Sequence, residues 1–140
     1  MFVKIKDNLV YLAWVQALIA TLGSLYFSEI LGFVPCILCW YQRILTYPLV
    51  IIIAVGILLK DKKLAFYVLP FSLLGMVVAF YQYLLQMGVI ADQLGPCSLG
   101  VSCTSVYIEW FGFITIPFLS LLSFAIITAC MYVSLKERKK

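Results

Sequence analysis

Histidine occurs nowhere in this 140-residue chain, and charged residues make up only 11% of it. Each scarcity excludes something. Without histidine there is no imidazole metal ligand, no Cys-His nucleophile and no Ser-His triad. So little charge places the chain far below the roughly 25% of an ordinary soluble domain. With 65% hydrophobic residues and a mean hydropathy of +1.11, it would expose too much apolar surface in water. A bilayer is the solvent this composition fits. The net charge of +4 does not point to nucleic acid, because the basic residues cluster beside apolar runs, as membrane flanks do. What remains reactive is sulfur: five cysteines, four of them in two close pairs.

Met1 to Asp7 is a short basic head, and residues 8–28 then carry no charge. At about 1.5 Å per residue that run crosses a hydrocarbon core of about 30 Å. It exceeds the roughly 7–15-residue apolar core of a cleavable signal peptide, so it reads as a retained first span. Residues 29–39 form a loop. A second span covers residues 40–59 and ends at Lys60-Asp61-Lys62-Lys63. A third covers 64–90, and a polar segment over 91–109 contains Gly95, Pro96 and Gly100. A fourth covers 110–135 and runs into the basic tail Lys136 to Lys140. The expectation is an all-α membrane protein, a single domain over residues 1–140 folded as a four-transmembrane-helix bundle.

Charge also orients the spans. Of the ten Lys and Arg residues, all but Arg43 lie in the head, the 60–63 turn and the tail. Basic residues accumulate on the cytoplasmic side of short loops. Both termini are therefore expected in the cytoplasm, with the loops 29–39 and 91–109, and both cysteine pairs, outside. In such a compartment disulfides form and persist. Trp40 and Trp110 fall at the outer ends of spans two and four, where an interfacial aromatic belt is expected, with ligand contact as the alternative.

The first pair lies in Pro35-Cys36-Ile37-Leu38-Cys39-Trp40-Tyr41-Gln42-Arg43. A helix starting near Cys36 puts Cys39 and Arg43 on one face. The unpaired N–H groups of a helix start, its partial positive charge and Arg43 all favour the thiolate, the reactive form of cysteine. The same spacing serves structural disulfides and zinc ribbons, so the motif gains weight only from its setting. The second pair, Cys97 and Cys103, encloses five residues with Gly100 at their centre, which suits a small ring. Taken alone that ring reads as a structural staple. Two pairs on one side of a small membrane protein make a relay competitive with it. Zinc sites prefer two close pairs, so the wider second spacing and the oxidising compartment argue against metal. Cys130, deep in the fourth span, reads as packing. Gln82 and Gln86 share one face of the third span, where interhelical hydrogen bonding is expected ahead of ligand contact. Gln16 receives the packing reading alone. Pro48 and Pro117 are each expected to remove a backbone bond, kink the helix and open a gap near Arg43, with ordinary membrane-helix proline as the equal alternative.

The run Cys36 to Arg43 resembles the C-x-L-C-x-x-[QE]-R signature of the DsbB family of quinone-linked thiol oxidases. The segment Glu109-Trp110-Phe111-Gly112-Phe113-Ile114-Thr115-Ile116-Pro117 resembles that family's tryptophan–glycine–proline entry into its last span. Four spans with two external pairs match over nearly the whole chain, and the short loop before Glu109 is most similar to compact BdbC-type members. The resemblance implies a relay. A reduced thioredoxin-like thiol oxidase would attack a Cys97–Cys103 disulfide, with Cys97 forming the mixed disulfide. Cys103 would then exchange with Cys36, freeing Cys39 as a thiolate beside a quinone, ubiquinone or menaquinone, held by Arg43 with Gln42 next to it. Any role the family gives to a histidine near the quinone has no residue here. The alternatives are a reductase resembling vitamin K epoxide reductase, in which the order of the pairs is reversed, and a non-enzymatic membrane protein with structural disulfides or zinc.

Overall fold

The computed structural model describes residues 2–89 and 114–140. Cys97, Cys103 and Trp110, with the whole of the 91–109 segment, lie outside the described residues. Four long helices follow one another: α1 (Phe2–Leu25), α2 (Ile37–Leu58), α3 (Leu64–Gln86) and α4 (Ile116–Lys139). Each is long and apolar enough to cross a membrane. The wider π-helical turn Tyr26–Ile30 prolongs α1. A π turn inside a helix is uncommon and frequently sits at a functional site.

The helix ends differ from the expected boundaries for local reasons. α2 begins at Ile37, three residues earlier than residue 40, because Cys36 is its extended N-cap (φ −75°, ψ 174°). α3 stops at Gln86, short of residue 90. Gly88 takes the left-handed conformation (φ 74°), and Val89 N–H reaches back to the Leu84 carbonyl, closing the helix end. α4 continues past residue 135 to Lys139, and its last turn carries Lys136, Arg138 and Lys139, cations that suit the negative end of the helix dipole. Pro117 corrects the expectation of a kink. It occupies the first turn of α4, where its missing N–H has no helical partner to lose. Pro48 and Pro70 do sit inside α2 and α3.

Packing runs round the cycle α1–α2–α3–α4–α1, each helix chiefly against its two neighbours. Lipid tails are as apolar as leucine, so helices in a bilayer associate through close fit and interhelical hydrogen bonds rather than by hiding apolar surface. The burial pattern follows that rule. Ala13, Ala17 and Ala79 are fully buried, whereas Leu22, Leu58 and Val77 face outward. Gly75 lets the Phe124 ring lie directly on α3; a Cβ there would overlap it. Cys130 belongs to the same core, among buried Phe124, Ile127 and Met131. Polar ties link neighbouring helices: Thr128 Oγ1 donates to Ser72 Oγ (3.0 Å), Gln16 Nε2 to Ser123 Oγ (2.9 Å) and Trp14 Nε1 to the Val50 carbonyl (3.2 Å). Gln16 thus has the packing role expected of it.

Candidate active site at the head of the second helix

Because Cys36 caps α2 and Cys39 is its third residue, one helical turn brings the two side chains together. Cys36 donates its S–H to Cys39 with the sulfurs 3.3 Å apart. That exceeds the roughly 2.05 Å of a covalent S–S bond, so the pair is a dithiol. Cys36 is 6% exposed. Its hydrogen bond to Cys39, reinforced by burial, holds its thiol above the usual cysteine range, so it stays the proton carrier of the pair.

The last turns of α3 lie against this helix start. Gln82, 2% exposed, aims its amide nitrogen at both sulfurs, 3.3 Å from Cys36 and 3.2 Å from Cys39. Its amide oxygen accepts from Gln42 Nε2, one turn further along α2. Gln42 is itself buried, and its backbone carbonyl takes the Thr46 hydroxyl (2.7 Å). Leu38 and Leu85 close the site from the sides. Gln82 therefore has the interhelical hydrogen bond expected from its place in the third span, and a contact with both thiols besides.

Arg43 turns the other way, toward α1. Its Nε donates to Ser24 Oγ (2.9 Å) and its Nη2 to the Ser24 carbonyl (3.0 Å), fastening the head of α2 to the end of α1. Its guanidinium also lies 5.3 Å from the Trp40 ring centroid, within cation–π range. Trp40 is half exposed, as an interfacial side chain would be.

Between these groups opens a cavity of about 370 Å³. Its wall takes Cys36, Cys39 and Arg43 from α2, Gln82 from α3, Ile19 from α1 and Leu122 from α4. The volume lies in the range of sites for small organic molecules, and the combination of apolar walls with a few convergent polar groups is characteristic of them. Tyr47 also lines it, and its hydroxyl has no hydrogen-bond partner among the described residues. Residues expected at the site from the sequence thus fall into two groups. Cys36, Cys39, Gln42 and Arg43 meet at one end of the bundle, whereas Cys97 and Cys103 lie outside the described residues. Sequence reading missed Ser24 and Tyr47, neither of which stands in a motif. It read Gln82 as helix glue, although a buried amide in an otherwise apolar span is a signal worth following.

A family model described as "Disulfide bond formation protein DsbB" matches residues 6–134. The chain is 50% identical over 128 residues to "Disulfide bond formation protein C" of Bacillus subtilis (strain 168), covering 90% of this chain and 93% of that one. It is 48% identical over 135 residues to "Probable disulfide formation protein C" of Halalkalibacterium halodurans, covering 96% and 98%. It is 43% identical over 135 residues to "Probable disulfide formation protein C 1" of Bacillus anthracis, covering 96% and 97%. No solved structure matches the chain. Four membrane-length helices, a dithiol at the head of the second and near-complete coverage by these relatives lead to one conclusion: the chain belongs to the DsbB family of disulfide bond formation proteins.

Proposed function

We propose that this chain reoxidises an extracytoplasmic thioredoxin-like thiol oxidase and passes the electrons to membrane quinone, so supporting disulfide formation in exported proteins. The observation that carries the reading is a dithiol and an arginine on the wall of one apolar cavity. The distribution of lysine and arginine supports placing the cysteine end outside and both termini in the cytoplasm.

In the relay a thiolate of the reduced partner attacks the Cys97–Cys103 disulfide at Cys97. The sulfur–sulfur bond breaks, its electron pair goes to Cys103, and the partner's second thiolate releases the partner oxidised. Cys103 then attacks Cys36 in a Cys36–Cys39 disulfide, and that bond's electron pair leaves on Cys39. Cys97 then attacks Cys103, and the Cys103–Cys36 bond breaks with its electron pair on Cys36. Exchange ends with Cys97 and Cys103 again paired and two electrons held by Cys36 and Cys39. Each step is attack of a thiolate on a disulfide sulfur. The cavity fits a quinone headgroup by its size, its apolar wall and its cation. A quinone bound there supplies a two-electron acceptor. Arg43 would bind and orient it and balance negative charge, and Cys36 would hold the proton of the reduced pair.

The test uses the protein in lipid nanodiscs with a reduced thioredoxin-like partner and either ubiquinone or menaquinone. Partner oxidation should turn over repeatedly only when quinone is present, and Cys36→Ala or Cys97→Ala should each bring the rate to background. Oxidation that survives either substitution removes the relay.

A further inference from the structure

We propose that Gln82 is a hydrogen-bond donor to the reacting sulfurs that favours the reduced form of the Cys36–Cys39 pair, and that Gln42 positions it. An amide nitrogen carries two N–H groups, and Gln82 has two sulfurs within reach, at 3.3 and 3.2 Å. Which end of an amide faces a partner is decided by its whole hydrogen-bond network. Here Gln42 Nε2 donates to the Gln82 oxygen, and the Gln82 nitrogen faces the sulfurs. Reversal of Gln82 alone would set an amide nitrogen against a donor and an oxygen against two electron-rich sulfurs. Burial of both side chains keeps water from competing for either end.

The consequence is differential. A sulfur in a disulfide is a weak acceptor, whereas a sulfur that has taken the electron pair of the broken bond is a strong one. When a thiolate attacks Cys36 and the bond to Cys39 breaks, the electron pair arrives where the Gln82 N–H already points. No proton has to move. The donor has none to lose near neutral pH, which suits a chain without histidine. Stabilising the reduced form makes a dithiol couple more oxidising.

The inference rests on Cys36–Cys39 being a redox pair, but on neither quinone nor partner. Its test is the equilibrium of that pair with glutathione, in the full chain in nanodiscs carrying Cys97→Ser, Cys103→Ser and Cys130→Ala. Gln82→Met should move the constant about tenfold toward the disulfide, or about 30 mV for this two-electron couple. Gln42→Met, which loses only the orienting donor, should move it by about threefold in the same direction. Thr128→Val removes an interhelical hydrogen bond outside the cavity that holds the sulfurs and should leave it unchanged. A constant within twofold of the parent in Gln82→Met, or an equal shift in Thr128→Val, overturns the proposal. Should Gln82→Met lose its cooperative melting transition, Gln82→Glu decides: its shape is kept and its carboxylate faces the sulfurs, so the shift must be larger. A Gln82→Glu constant equal to the parent's overturns the proposal, and if Gln82→Glu does not fold either, the Gln42→Met result decides in the same way. A pair that equilibrates normally but ignores Gln82 defeats this inference alone, whereas partner oxidation that ignores Cys36→Ala defeats the proposed function.

Discussion

At the end of the bundle that holds the Lys60–Lys63 turn, helices meet by filling one another's space. Gly56 accepts the Leu64 side chain so closely that a Cβ would overlap it, and further along Gly75 does the same for Phe124. At the cysteine end, helices meet through directed polar contacts instead: Gln42 on Gln82, Gln82 on two sulfurs, and Arg43 on Ser24. These contacts are discrete and leave a cavity between them. Around Gly56 and Gly75 the close apolar fit presents no reactive group. Directed hydrogen bonds hold reactive groups in place while leaving space beside them.

Arg43→Ala should have the largest effect on the open end. Loss of a charged hydrogen-bonding group costs about 1.5–3 kcal/mol, so the apparent affinity for quinone should fall roughly ten- to hundredfold while the protein still melts cooperatively. Ser24→Ala keeps the charge and should cost much less. Titration of turnover against quinone measures both, and an unchanged quinone dependence in Arg43→Ala means the residue is misassigned.

Gly75→Val attacks the other half. Overpacking against Phe124 should lower stability by about 1–3 kcal/mol, read as a drop in melting temperature. The glutathione equilibrium of Cys36 and Cys39 should not move. If it does, the two halves are mechanically coupled and the division drawn between them is too sharp.

The smallest effect concerns pH. A thiol held above its ordinary range stays neutral as pH rises, so alkylation of Cys36 in the reduced protein should begin at more alkaline pH than for a free cysteine near 8.5. Cys39 is the largest cause of that displacement. Cys39→Ala should therefore move the alkylation curve of Cys36 to lower pH, as followed by mass spectrometry. A curve that stays in place assigns the displacement to burial alone.

The amino-acid sequence by itself determined the helical bundle, the membrane-length spans and the grouping of Cys36, Cys39, Gln42 and Arg43. All of these follow from local rules: runs of apolar residues set helix length, and a spacing of three or four residues sets a shared face. It also marked Gln82 as a polar residue in an apolar span, yet not as a contact of the cysteines. Cys36 and Gln82 are 46 positions apart, and Arg43 and Ser24 are 19. Which face of one helix meets which face of the next depends on crossing and rotation, and those are decided by fits such as Phe124 on Gly75 that helical periodicity does not encode. The tertiary structure alone put a glutamine against both sulfurs, turned the arginine toward α1 and left a cavity between them, because each of these is a relation between helices and not a property of any one.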